Sequence, residues 1–175
     1  MRHVRRRRRA LLVLAVWLTG VSCDQGTQPA NASAVDDAAG EVPFRLAGSG
    51  GAALIVPVSI NGQGPYDFIL DTGATLTCVA EVTSKELNLP ARPLSLGYGV
   101  GVGGGGRLRI VQIDSLGVGA AYATELPACT LDLSVMAPTG IRVHGLLGLN
   151  FLRNFNVSLD FGRRVMTLSP LAPAR

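Results

Sequence analysis

The stretch "FILDTGATLTC", residues 68–78, decides how this chain is interpreted. An apolar run, typical of a buried strand, leads directly into an acid, a hydroxyl residue and a glycine. An ionised carboxylate at the end of a buried strand is costly to place without partners. Asp71 is therefore the first candidate for a functional residue.

The segments around this stretch indicate short strands separated by glycine turns. "AALIVPVSI", "NGQGP" and "YDFIL", residues 52–70, predict a hairpin that delivers the chain to Asp71. "AEVTSKELNL" predicts a helix that ends before Pro90, and "GLLGLNFLRNF" has Leu146, Leu149 and Leu152 at helical spacing. With 22 glycines and 5% aromatic residues in 175, we expect one mostly β domain with one or two short helices.

The formal charge of +4 does not indicate nucleic-acid binding, because six arginines lie at the extreme N-terminus, ahead of "ALLVLAVWLTGV". Without residues 1–22 the chain has 10 basic and 12 acidic side chains, a net charge of −2. The leader itself has a basic segment, an apolar segment shorter than a membrane span of about 20 residues, and small residues before Cys23. We expect a signal peptide over 1–22, and therefore an exported protein.

"GVSC", residues 20–23, resembles a bacterial lipobox, in which Cys23 is acylated, although Gly20 stands where an aliphatic residue is usual. Cleavage at an ordinary signal-peptidase site nearby remains the alternative. Residues 23–41 are small, polar and aperiodic, which predicts a flexible tether. The folded domain is expected over 42–170, in the bacterial periplasm or cell envelope, with a lipid anchor to the membrane as one option.

Four segments, taken in order, resemble the retropepsin-like aspartic protease family, the clan of pepsin and the retroviral proteases. "VPVSINGQGPYDFILDTGAT" is similar to the strands leading into the catalytic loop, "VGVGGGGRL" takes the place of the flap hairpin, and "HGLLGLNFL" resembles the apolar-apolar-Gly element. "VSLDFGRRVMTL" is similar to the final hairpin of a lobe. Retroviral enzymes usually have an arginine after the glycine of the third element, and Leu149 departs from that pattern. The resemblance implies a closed barrel lobe with a flap.

Peptide hydrolysis by two carboxylates requires one to be ionised and the other protonated, so the two must share a proton at close range. This chain has a single D-T-G. The resemblance therefore implies a homodimer in which the catalytic Asp71 of each copy meets the other across a two-fold axis. It also implies that Thr72 joins the two loops, and that Gly73 allows a tight turn and leaves its N–H free for the carboxylate.

The resemblance further implies a set of substrate-binding residues along the cleft and under the flap. They are Ala74, Thr75, Val102, Gly103, Gly104, Gly105, Leu146 and Leu147. The glycine-rich run also contains G-x-G-x-x-G, but no helix is predicted after it, which argues against dinucleotide binding. A loose hairpin turn without a flap role is the simpler alternative.

The remaining cysteines and histidines predict no cofactor and no metal site. His144 has no ligand pattern around it, and we expect it at the surface or packed. Cys78 and Cys129 could form a disulfide in an oxidising compartment, but two cysteines alone do not establish the geometry. The preferred hypothesis is an aspartic endopeptidase acting on polypeptides. The rival hypothesis is a non-catalytic peptide-binding or dimerisation module with the same fold.

Overall fold

A computed structural model of the chain describes residues 32–33, 40–101 and 104–171. The expected signal peptide, Cys23, and the hairpin residues Val102 and Gly103 lie outside the described residues. Within these three ranges, no helix has both the length and the apolar character needed to span a membrane.

The described residues form mostly strands, as the sequence predicts. The strands are β1 (Ala32–Ser33), β2 (Gly40–Pro43), β3 (Arg45–Ala47), β4 (Ala53–Ile60), β5 (Gln63–Leu70), β6 (Cys78–Ala80), β7 (Ala91–Gly101), β8 (Gly104–Val118), β9 (Ala121–Leu131), β10 (Gly145–Leu147), β11 (Phe155–Asp160) and β12 (Val165–Pro170). The helices are α1 (Glu81–Glu86) and α2 (Leu149–Leu152), with 3₁₀ turns at Ser49–Gly51 and Ser134–Thr139.

Six of these strands close on themselves. The larger sheet runs in the order β1-β9-β6-β10-β5-β4-β8-β7, and β8 also pairs with β9, so β9, β6, β10, β5, β4 and β8 form a barrel. Closure removes the unpaired edges that an open sheet of this length would expose. The barrel places β5, the strand that ends before Asp71, between β4 and β10.

The β4–β5 hairpin forms where the sequence predicts it. Asn61 and Gly62 have φ of 49° and 75°, and Ile60 pairs with Gln63 across this two-residue turn. Positive φ at both central residues defines the turn type that matches strand twist, and Asn-Gly is the pair that adopts it at least cost. The Asn61 side chain also accepts hydrogen bonds from the N–H groups of Asp114 and Ser115, both at 3.0 Å, which fixes the hairpin tip against β8.

A second sheet, of order β11-β12-β2, covers one side of the barrel. Its inward side chains join the main core with those of the barrel. The largest fully buried members of the cores are Phe68, Phe151, Ile55, Ile60, Ile113, Leu116, Leu126, Leu147 and Met166. Along β4, β9 and β12, buried residues tend to alternate with more exposed ones, which is the period-two pattern of half-buried strands.

The structure divides "GLLGLNFLRNF" differently from its helical spacing. Gly145–Leu147 form β10, and the helix begins only after Gly148, at Leu149. Leu146 is therefore a strand residue, and the expectation that it shares a helix face with Leu149 and Leu152 is wrong. The reason is tertiary, because β10 lies between β5 and β6 and pairs with both.

Candidate active site

Asp71 follows β5 immediately and is held by the neighbouring strand. β10 runs parallel to β5, with Leu147 opposite Leu70, and the Asp71 N–H donates to the Leu147 carbonyl at 3.0 Å. The strand register thus fixes the backbone from which the carboxyl projects. Asp71 itself is partly exposed, which leaves its carboxyl accessible to water.

The loop after Asp71 turns at once. The Gly73 N–H donates to Asp71 Oδ1 at 2.9 Å, and the Ala74 N–H donates to the Asp71 carbonyl at 3.3 Å. A short acidic side chain that accepts the N–H two residues later is a common way to stabilise such a turn. The hydrogen bond orients the carboxyl, and Oδ2 remains available to a ligand or to a second carboxyl group.

The outgoing half of the loop is attached to the start of α2. The Leu149 N–H donates to the Ala74 carbonyl at 2.8 Å, and the Asn150 N–H donates to the Thr75 carbonyl at 3.0 Å. These are N–H groups of the first turn of a helix, which have no partner inside the helix. The loop after Asp71, which the resemblance implies to be catalytic, and α2 therefore satisfy each other's backbone groups.

Thr77 and Asn150 form a buried polar cluster beneath the loop, with 0% and 6% of their surfaces exposed. Asn150 Oδ1 accepts from the Thr77 N–H at 2.7 Å and from the Thr77 hydroxyl at 2.9 Å. The Gly148 N–H donates to Thr77 Oγ1 at 3.1 Å, and Asn150 Nδ2 donates to the Pro127 carbonyl at 2.8 Å. A fully satisfied buried network of this kind fixes a single backbone arrangement.

Cys78 and Cys129 form a disulfide, which the sequence left open. They lie directly opposite each other on the parallel pair β6 and β9, with their Cα atoms 4.4 Å apart. Both are buried. The bond joins β6, the strand that follows the loop after Asp71, to β9 of the barrel wall.

The other aspartates of the described residues have contacts of their own or lie away from Asp71. Asp67 forms an ion pair with Arg45, with Oδ2 and Nη2 2.6 Å apart. The carboxylates of Asp132 and Asp160 accept hydrogen bonds from nearby backbone N–H groups, that of Ser134 at 3.0 Å and that of Arg163 at 2.9 Å respectively. Asp114 lies at the far end of the barrel, beside the Asn61 turn. As far as the structure describes the chain, no three His, Cys, Asp or Glu side chains are grouped to hold a metal ion.

His144 is packed rather than free. Its Nδ1 accepts from the Asp67 N–H at 3.1 Å, and its ring meets that of Tyr66 edge-on at 5.3 Å. Its backbone bridges β5 and β6, since its N–H donates to the Asp67 carbonyl and its carbonyl accepts from the Ala80 N–H. These contacts indicate a structural role at the start of β10.

The predicted substrate-binding residues separate into two groups. Ala74, Thr75 and Leu146 are at least partly exposed in or beside the loop, whereas Leu147 is fully buried in the main core. The structure thus assigns Leu147 to the core rather than to the cleft wall, because alternate residues of a strand face opposite sides. Thr72 and Gly73 are exposed.

The hairpin predicted as a flap is present as β7 and β8. Gly101 pairs with Gly104 and Val100 with Gly105. The predicted substrate-binding residues Gly104 and Gly105 therefore lie near the tip of the hairpin. Val102 and Gly103 are outside the described residues, and the flap role of the hairpin stays a prediction. A separate depression of about 480 Å³ lies between α1 and the β7–β8 pair and contains no residue of the catalytic loop.

Thr77 is the residue of this region that the sequence did not reveal. In "TLTC", residues 75–78, polar and apolar residues alternate as in a half-buried strand. This pattern predicts that Leu76 and Cys78 are buried and that Thr77 faces solvent. Asn150 was recognisable only as a polar residue within an apolar run. Their pairing depends on the approach of two loops that are 73 positions apart in the chain.

The closed barrel, with D-T-G at the end of one of its strands, is similar in fold to a solved structure. The chain is similar to a retropepsin-like aspartic protease from Rickettsia conorii, with 17% identity and a TM-score of 0.50, over 75% of this chain and 90% of that one. It is also similar to the retroviral protease-like domain of Ddi1 from Leishmania major, with 18% identity and a TM-score of 0.42, over 69% and 94%. The fold is retropepsin-like, as the resemblance implied.

The sequence comparison gives the family. A family model described as "Aspartyl protease" matches residues 56–151, more than half of the chain, and contains the catalytic loop, β10 and the start of α2. The chain therefore belongs to the aspartyl protease family. No curated protein matches it in sequence.

Proposed function

We propose that the chain is an aspartic endopeptidase that acts as a homodimer, with Asp71 of each copy forming one half of a catalytic pair. The observation that supports this most directly is the geometry of Asp71: a partly exposed carboxyl, oriented by the Gly73 N–H, at the end of a fixed strand. The other aspartates of the described residues have contacts of their own or lie at the far end of the barrel, so the second carboxyl is taken to come from a second copy.

In the proposed reaction the two carboxyls share one proton. The water oxygen attacks the peptide carbonyl carbon while the ionised carboxylate takes a proton from that water. The protonated carboxyl at the same time donates its proton to the carbonyl oxygen. The tetrahedral intermediate then collapses with proton transfer to the leaving nitrogen, and the C–N bond breaks. The glycine-rich hairpin β7–β8 closes over an extended polypeptide and contacts its backbone.

The proposed setting is the bacterial envelope. The basic and apolar leader is that of an exported protein, and Cys23 is proposed as the site of lipid attachment. The disulfide between Cys78 and Cys129 is compatible with an oxidising compartment. Labelling of cells with a fatty-acid analogue, with a Cys23→Ser variant as control, tests the anchor.

The decisive experiment compares two carboxyl-to-amide substitutions. Asp71→Asn is expected to abolish cleavage of an unfolded polypeptide such as casein, while Asp114→Asn is expected to leave it unchanged. Asp114 is a matched control because it is exposed and its N–H is bonded to Asn61, at the turn of the β4–β5 hairpin. The eight residues of β5 separate this turn from Asp71, a distance of about 25 Å at about 3.3 Å per residue. Equal cleavage by both variants would contradict the role of Asp71, and no cleavage by the wild type itself would favour the rival, a non-catalytic peptide-binding module.

The pH dependence gives a second test. A pair that works with one shared proton loses activity when rising pH removes that proton. We expect cleavage by the dimer to fall toward alkaline pH while far-ultraviolet circular dichroism reports a folded protein throughout. A rate independent of pH from acid to alkaline conditions would contradict the shared proton.

A further inference from the structure

The exit of the catalytic loop is attached to the barrel at a single short strand. β6 has three residues, Cys78–Ala80, and follows Thr77 directly. A strand of this length has few hydrogen bonds with which to hold the loop in place. The contacts at its first residue therefore contribute to the positioning of the loop, together with the Thr77–Asn150 network and the bonds from α2.

Three links join this exit to β9 and β10. The Cys129 N–H donates to the Thr77 carbonyl at 2.9 Å, Cys78 is opposite Leu146 of β10, and the Cys78–Cys129 disulfide closes the contact with β9 covalently. The two cysteines are 5% and 1% exposed. The disulfide is thus an internal tie and not a surface crosslink.

The side chains around the disulfide connect it to the site. Cys78, Cys129 and Ile110 form a small apolar cluster of their own, apart from the main core. Leu76 of the catalytic loop and Leu146 beside it pack against this cluster. A shift of β6 away from β9 would move both leucines, and with them the backbone that holds Asp71.

We propose that the Cys78–Cys129 disulfide is a positioning element of the active site, which holds the catalytic loop in its working geometry. This inference rests on the proposed protease function for its kinetic consequence. Its structural consequence does not, because the disulfide restricts opening of the loop whether or not the site turns over. Loss of the bond leaves the loop exit held to β9 and β10 by hydrogen bonds alone, so that local opening at Leu76 and Cys78 becomes more frequent while the rest of the barrel stays folded.

The test needs a control of equal stability. The double variant Cys78→Ala/Cys129→Ala removes the bond, and Leu168→Ala removes a buried core side chain of β12, a strand of the second sheet that does not pair with β6 or β9. Urea unfolding first establishes the denaturant and temperature at which both variants have the same free energy of unfolding. Differences that remain under these conditions come from the loop and not from global stability.

Amide hydrogen exchange provides the direct measurement. The N–H groups of Leu149, Asn150 and Cys129 are bonded to the loop carbonyls of Ala74, Thr75 and Thr77. We expect their exchange to be about tenfold faster in the double alanine variant than in Leu168→Ala at matched stability. Equal exchange at these three amides would overturn the inference, independently of any catalytic result.

Kinetics then separates positioning from binding. If the loop loses its geometry, kcat is expected to fall about tenfold or more with KM changed less than about threefold. A variant with unchanged kcat despite faster exchange would also overturn the inference. If the oxidised wild type itself cleaves nothing, the proposed function fails, and the exchange experiment alone decides the positioning role.

Reduction of the wild type replaces the double variant if that variant does not fold. A dithiol reductant supplies two electrons and two protons, so the disulfide becomes two thiols and the reductant becomes its own disulfide. Alkylation counts the thiols released. The same three amides are expected to lose protection in the reduced protein and to regain it on reoxidation, and unchanged protection at full reduction would contradict the inference.

Discussion

Gly148 shows how closely the loops of the site approach each other. A Cβ atom at this position would lie 2.5 Å from the carbonyl carbon and oxygen of Leu76 and 2.8 Å from the Thr77 nitrogen. The backbone of Gly148 is extended, with φ of −97°, which any residue adopts. The requirement for glycine is therefore one of space, because backbone atoms of the catalytic loop occupy the place of a side chain.

We predict that Gly148→Ala lowers the free energy of unfolding by about 2 kcal/mol or more, because the clash is with backbone and cannot be relieved by a rotamer change. It should also abolish cleavage by displacing the loop. Gly162→Ala is the control, since its Cβ would meet only the exposed Asp160 carboxyl, at 3.3 Å. Urea unfolding measures both variants, and equal stability would contradict the close approach.

Asn150 supports a second prediction at this scale. Asn150→Ala removes the acceptor for the Thr77 N–H and the donor to the Pro127 carbonyl, which leaves buried groups without partners. We expect a loss of about 2–4 kcal/mol in the free energy of unfolding. Asn156→Ala, which removes an exposed amide bonded to the Pro170 carbonyl, should change it by less than about 0.5 kcal/mol. Similar losses in the two variants would argue against the buried network.

Among the elements, those with local signals were predictable from sequence. The β4–β5 hairpin follows from Asn61-Gly62 and the alternation around it, and the position of Asp71 follows from the end of that strand. The division of "GLLGLNFLRNF" did not follow, since a short apolar run fits a strand and a helix equally well. β10 is a strand only because β5 and β6 flank it, and its register is what buries Leu147 and leaves Leu146 beside the loop.

Neither the disulfide nor the Thr77–Asn150 cluster could be predicted from the sequence, and the reason is the same for both. Cys78 and Cys129 are 51 positions apart, and only the parallel pairing of β6 with β9 brings them into register. Thr77 and Asn150 meet because β10 passes between β5 and β6. Composition and local pattern identify Asp71 as a candidate functional residue, but the contacts that hold it depend on pairing between distant segments.

The 3₁₀ turn after β9 provides a prediction about pH. The Ser134 hydroxyl and the Ser134 N–H both donate to the Asp132 carboxyl. These hydrogen bonds, of which the one from the hydroxyl has the larger effect, lower the pKa of Asp132 from its usual value. The contact therefore stabilises the fold above the unfolded-state value of about 3.9, and this contribution is lost as pH falls through the lowered value.

We expect the Asp132 carboxyl, followed by NMR, to titrate below the ordinary aspartate value. Ser134→Ala should move the midpoint back toward that value, because the hydroxyl is the larger cause of the shift and only the backbone bond remains. Ser158→Ala, on the exposed face of β11, is the matched control and should not move it. An ordinary midpoint in the wild type would contradict the hydrogen-bonded turn.

At the scale of the whole molecule, the proposed site needs two chains. The barrel fixes Asp71, the loop and its supports, yet the chemistry of a shared proton requires a second carboxyl close to the first. In the part of the chain that the structure describes, the three-stranded sheet leaves β2 and β11 each with one neighbour. In the proposed dimer the second copy supplies the other carboxyl, and these edges offer backbone groups for strand pairing with it.

Mixing of subunits tests this incompleteness without a structure of the dimer. When equal amounts of wild type and Asp71→Asn exchange subunits at random, about a quarter of the dimers contain two intact aspartates. We predict that cleavage falls to about a quarter of that given by the same total amount of wild type. If each Asp71 acted alone within its own chain, about half would remain. Mixing with Asp114→Asn controls for the exchange and should leave cleavage unchanged, because every dimer then retains both catalytic carboxyls.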